Sequence, residues 1–372
     1  MSPSQGSSPV NINPPGINPP GNQVNQEIGH NPGQALGHMS GGQAINISGG
    51  SVFFQDSQGN SLDPKTLSKR REIPSLLPYL PDRTDQEFEL SQAIQMLKDT
   101  PSRQPLVCLI HGDEWQSHDK FLERLRKVSL PRLLRLDAKE IAIKEYHLQW
   151  PASLKKIEML PARLTKNLAD VVENDSFATV QEINQTFGKY PGPVLVHLHL
   201  MTDDWKRLGS GLLPKVLEFW QTWPNLGAEQ TLVIGIFIKY QKYQIQSATK
   251  ERKHKWFLNP FTWFKRFLKC RQCQKLNVGI AQQLETLSKS EFSNCNRLTG
   301  IVLPKLDNIN RGHVEDWVRC KEIETFVGEA LVGHLLRAVG KMFDRDETMP
   351  MDRIATRLTA LLKEIVISGR DL

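Results

Sequence analysis

The ten residues HGDEWQSHDK, His111 to Lys120, stand between a short apolar run (Pro105–Ile110) and a charged, helix-competent run (Lys120–Val128). Strand, loop, helix is the layout of a phosphate-binding loop. A working loop reads G-x-x-x-x-G-K-[ST]: backbone N–H groups cradle phosphates, Lys meets the outer phosphates and the hydroxyl holds Mg²⁺. With Gly112 as the first glycine, the second falls on Ser117, the lysine on His118 and the hydroxyl on Asp119. Three of the four diagnostic positions are therefore wrong. Asp113 and Glu114 place negative charge where an anion would sit. Lys120 comes two positions late, and a helix turns about 100° per residue, so it should point elsewhere. The apolar run Pro193–Leu200 lacks a terminal acid for Mg²⁺; Asp203 and Asp204 could serve only if that strand stops late.

A second chemistry is written in histidines. His197 and His199 are two apart on a candidate strand and share a face. His111 ends another strand. With Asp203 they compose a candidate metal or hydrolytic cluster at the C-terminal edge, where α/β sheets bind ligands. The plainer reading is histidines satisfied by hydrogen bonds at strand ends, because no third-ligand spacing accompanies them. No metal and no cofactor is expected. Cys270 and Cys273 form a C-x-x-C, but only Cys295 and Cys320 follow, without a second pair, so incidental thiols are the simpler reading.

Residues 250–275 carry nine Lys/Arg and one acid, Glu251, a local +8 within a chain of net charge +7. The remainder is near neutral, so the protein carries one basic patch. Lys255, Trp256, Trp263, Lys265, Arg266 and Lys269 mark it. Aromatics among cations suit an anionic membrane surface or an acidic partner; docking of the aromatics on the core is the alternative. No nucleic-acid-binding signature accompanies the patch.

The elements that must position these groups alternate. Candidate strands are Pro105–Ile110, Glu140–Leu148, Pro193–Leu200, Gln230–Tyr240 and Thr299–Pro304. Ile73–Asp99 reads as a Pro-rich lead-in followed by a helix that Thr84 can cap, with Leu90, Ile94 and Leu97 as its apolar stripe. Further candidate helices are Lys120–Val128, Leu164–Val172, Thr179–Phe187, Gly211–Trp220 and Ala281–Ser288. The alternation predicts a parallel α/β sheet flanked by helices. The C-terminal part, 311–372, reads as helical over Val314–Gly340 and Pro350–Ile367. Residues 1–63 read as a Gly/Asn/Pro-rich disordered tail, with a Gly-punctuated motif at 25–50 that could pair with copies of itself. No run of about 18 apolar residues predicts a membrane span. Five unevenly spaced cysteines suggest a reducing cytoplasm.

The stretch "YLPDRTDQEFELSQAI", about 25 residues before the degenerate loop, adds a resemblance. Together they resemble the STAND class of P-loop NTPases, and within it the inactive STAND branch of bacterial conflict systems. The resemblance spans residue 73 to about 304 and implies a P-loop NTPase-like domain over 64–310. In active members an Arg-x-x-Glu-like motif frames the nucleotide; Arg83 and Glu87 match it loosely. The branch implies a scaffold or signalling module without NTP hydrolysis, acting through protein partners, homotypic ones included, in the cytoplasm or peripheral to the membrane. A remodelled metal-dependent hydrolase and a peripheral membrane-binding module are the rival expectations.

Overall fold

The computed structural model describes residues 72–98, 104–136, 142–242, 267–290, 292 and 298–365, and the backbone alone of 34–38, 44–48, 51–55, 99, 260–266 and 366–368. Contacts divide the chain into residues 1–31, outside the described residues, and 32–372. Most of the expected tail and part of its Gly-rich motif lie outside the described residues. Within 34–55 the backbone forms an antiparallel meander, β1 (Gln34–His38), β2 (Ala44–Ser48) and β3 (Ser51–Gln55). Alternation in "AINIS" fits strand periodicity.

The central sheet has five parallel strands: β4 (Leu106–Asp113), β5 (Lys144–His147), β6 (Val194–Met201), β7 (Leu232–Tyr240) and β8 (Thr299–Val302). Their order is β5-β6-β7-β4-β8. All five strands predicted from the sequence exist. β4, β6 and β7 are buried on both faces, which is why they read as near-continuous apolar runs. β4 runs to Asp113, beyond the predicted end at Ile110, because its pairing with β7 continues through Asp113↔Tyr240.

Helices α1 (Thr84–Asp99), α2 (His118–Arg124) and α3 (Leu130–Leu134) cover one face. A π-helical turn, Leu125–Ser129, joins α2 to α3. Pro131 lies just beyond it and lacks the N–H that would continue the ordinary ladder. Helices α4 (Leu160–Val172), α5 (Val180–Lys189), α6 (Thr202–Leu208), α7 (Leu212–Gln221) and α8 (Pro260–Lys289) belong to the other face. β4 thus leads to helices on one face, while β5, β6 and β7 lead to helices on the other. Such a switch point is where open α/β sheets bind ligands, at the carboxyl ends of the strands.

The predicted helix Val314–Gly340 is three helices instead: α9 (Arg311–Val318), α10 (Lys321–Val327) and α11 (Glu329–Met342). The chain leaves helical geometry at Cys320, and again at Gly328, where φ is +89°. After a two-stranded pairing of β9 (Ile309–Asn310) with β10 (Thr348–Met349), α12 (Met351–Ser368) closes the chain's helical part. These helices share a core with the lead-in: Leu77 packs among Trp317, Phe326, Leu358 and Leu362, and Trp317 Nε1 donates to the Leu77 carbonyl at 2.9 Å.

Candidate functional site

The degenerate loop is a tight turn. β4 ends at Asp113 and α2 begins at His118, leaving four residues between them. The Glu114 amide donates to the Tyr240 carbonyl at 3.0 Å, and the Gln116 amide to the Asp113 carbonyl at 3.0 Å. These amides are spent within the chain. Gly112 lies inside the strand, where a Cβ would come within 2.7 Å of Leu306 Cβ and 2.8 Å of its carbonyl oxygen. Its bareness serves a close backbone approach, not a phosphate. Ser117 has left-handed backbone (φ +52°), and its hydroxyl donates to the Asp352 carboxylate.

The lysine-equivalent His118 folds back under the turn. It is 2% exposed, its Nε2 donates to the Asp113 carbonyl at 3.1 Å, and its ring meets Phe237 edge-on. Burial, then the nearby Lys239, lowers it to about 4, so it is neutral at pH 7. Asp119 accepts from Lys239 at 3.1 Å. Asp113 pairs with Lys242 at 2.5 Å, and Glu114 accepts from the Lys242 amide. Lys120 turns away to Glu123 and the Tyr79 ring.

Gln116 locks the turn from outside. Its Oε1 accepts from Arg83 at 3.1 Å and from the Met351 amide at 3.4 Å; its Nε2 donates to Asn308 at 2.8 Å. The Asp352 amide donates to the Trp115 carbonyl at 3.1 Å. The N-terminus of α12 therefore sits on the turn.

Arg83 and Glu87 do structural work here. Arg83 is 2% exposed and also donates to the Asp307 carbonyl. Glu87 accepts from Arg124 Nε at 2.8 Å, Ser129 Oγ at 2.8 Å and Arg132 at 2.9 Å. Burial pushes its carboxyl up, but Arg124, Ser129 and Arg132 together hold it below the ordinary value.

At the acid position of β6 the strand does stop late, at Met201. Asp204 is nevertheless taken: it accepts from the Met201 amide and Trp150 Nε1, both at 2.8 Å, and from Arg207 at 2.6 Å. Asp203 lies beside it in the first turn of α6, its amide donating to Gln241.

The expected histidine group divides between the faces of the sheet. Side chains alternate along a strand, so His111 falls on the face of Leu109 and Tyr240, with Nδ1 2.8 Å from the Tyr240 hydroxyl. Burial, then Lys305, lowers it to about 4. His197 and His199 are on the opposite face, where His199 stacks on Phe237. His147, not anticipated from the sequence, joins them. It pairs in register with His197, and their rings stack at 4.7 Å. The register of β5 on β6 brings them together, and register is not visible in either strand alone. Burial, then Lys239, lowers His199 to about 3; His147 is lowered by burial and by His197.

In the basic patch, Lys255 and Trp256 lie outside the described residues. Trp263, Lys265 and Arg266 belong to α8, which starts at Pro260, the side on which a helix was expected. Lys269 is exposed on the same helix. Cys273 is buried and its Sγ donates to the Gln241 carbonyl at 3.2 Å; it and Cys270 form no disulfide.

Residues 78–238 match the family described as inactive STAND. The matched stretch runs from just before α1 to near the end of β7, so the blocked loop lies inside it. The matched segment thus holds β4, β5, β6 and most of β7, while β8 and the C-terminal helices lie beyond it. No curated protein matches the chain. Among solved structures, the Aeropyrum pernix ORC1 protein, in complex with DNA, is 13% identical, with 80% of this chain and 67% of that one covered at a TM-score of 0.35. The Aeropyrum pernix ORC2 protein, in ADPNP–ADP complexes, is 10% identical, with 81% and 71% covered at a TM-score of 0.33.

Proposed function

We propose that this inactive STAND module is a non-catalytic scaffold that works through protein contacts, in a signalling or conflict-type system. The observation that carries the reading is the state of the turn at 113–118. The Glu114 and Gln116 amides bond within the chain, the His118 ring bonds back to the Asp113 carbonyl, and the first turn of α12 sits on it. A triphosphate needs converging free amides and a cation; here two of the turn's amides are bonded and its acids are already paired with Lys239 and Lys242. The contacts between α12 and the turn connect the helical C-terminal part to the sheet, as a scaffold that relays a signal requires. β1 and β2 lie within 25–50, the region proposed for homotypic recruitment, and the patch at 250–275 is proposed to meet an anionic membrane surface or an acidic partner. Among the described residues no helix is long and apolar enough to cross a membrane.

Titrating the purified chain with ATP and Mg²⁺ in a calorimeter tests the reading. No saturable heat is expected. Micromolar, Mg²⁺-dependent binding that is lost on altering His118 would overturn it.

A further inference from the structure

Three imidazoles meet on one face of the sheet, at its C-terminal edge. Neighbouring strands lie about 4.8 Å apart, so an in-register pair, His147↔His197, places two rings side by side. His199, two residues on, shares the face. One nitrogen from each ring lies within 4.8 Å of one from each of the others. Ligands about 2.1 Å from a tetrahedral ion are about 3.4 Å apart, so the rings need to draw in by little more than 1 Å. His147 is exposed and has room to swing.

The ring nitrogens are short of partners. His197 is 5% exposed, and among the described residues its Nδ1 and Nδ1 of His199 have no hydrogen-bond partner. Glu145 Oε1 lies 3.1 Å from His197 Nε2 and pairs with it. Buried nitrogens are normally satisfied; unpartnered ones on two of three neighbouring imidazoles suit the ligand set of a cation.

We infer that His147, His197 and His199 hold one divalent cation of the zinc class, with a fourth position open to solvent beside His147. All-nitrogen donors select borderline first-row ions over Mg²⁺ or Ca²⁺. Glu145 supplies the outer carboxylate that orients a ligating imidazole. The Lys239 ammonium opposes a cation here, and Asp119, 3.1 Å from it and 3.8 Å from His199 Nε2, offsets that charge. The ion would pin the short edge strand β5 to β6. The site adjoins the turn through the Asp119–Lys239 pair, but none of its three ligands belongs to the turn, so zinc binding can be read whether or not the scaffold reading stands.

The test uses the full chain, stripped with a chelator and titrated with zinc chloride by calorimetry, then with cobalt(II) to read the visible absorption of a four-coordinate site. Wild type should take one equivalent with a tetrahedral cobalt spectrum. His147→Ala should bind at least about 100-fold more weakly and lose that spectrum, since even changes to outer partners cost about 10–100-fold. His147→Gln, at the same exposed position, must behave likewise, with circular dichroism showing both variants folded. Zinc uptake that is equal in wild type and both variants, or absent from wild type, overturns the inference.

Discussion

Glu87→Gln tests the idea that the Arg83–Glu87 motif has become structural. The Glu87 side chain is 13% exposed and pairs with Arg124, also 13% exposed, and Arg132, 30% exposed. Its carboxylate ties α1 to α2, to the π turn and to α3 at once. Removing one partner of a buried ion pair costs about 3–5 kcal/mol, because the other charge stays desolvated. Arg132 keeps some water, which places the loss near the lower end, about 3 kcal/mol. At roughly 2–4 °C per kcal/mol, the melting temperature should drop by about 6–12 °C in calorimetry at pH 7. The pH dependence carries a sign. Glu87 is held below 4.5 in the folded protein, so its contribution is complete above the unfolded value and disappears as pH falls through the folded one. The wild-type advantage should therefore shrink from about pH 4.5 downward. A variant within about 0.5 kcal/mol of wild type at pH 7 would refute the argument.

Two further outcomes follow from the same geometry. Gly112→Ala would press a methyl into the Leu306 backbone and should destabilise by about 1–3 kcal/mol in urea unfolding; an unchanged midpoint would show that the segment around Leu306 can move aside freely. For the basic patch, the double change Trp256→Ala/Trp263→Ala should abolish flotation of the protein with anionic liposomes, and equal flotation of both proteins would remove the membrane proposal.

The sheet was legible because its three central strands are buried on both faces: "LVIGIFI" can hardly be anything but a central strand. The C-terminal part was legible as helix, but not in its breaks, since Gly328 resembles any other helix-interior glycine until its φ is known. The residues at 117–119 depart visibly from a phosphate-binding pattern. The bonds they and Gln116 make were not legible, because Gln116, Asn308 and Met351 are far apart in sequence and meet only in the folded chain. The histidine group shows the limit most sharply. Periodicity correctly put His197 and His199 together, yet it could not say that β4 is offset by one residue in facing, which sends His111 to the other side. Nor could it give the register of β5 that recruits His147. Arg83 and Glu87 were named only through the resemblance, while the bonds Glu87 makes depend on Arg124 and Arg132, which no motif names.

The bonds of Ser117 and His118 make the turn costly to remodel. A lysine placed at 118 would first forfeit the imidazole's bond to the Asp113 carbonyl; a glycine placed at 117 would release Asp352. Each change toward a phosphate-binding loop dismantles something before it builds anything, so single substitutions run uphill until several have accumulated.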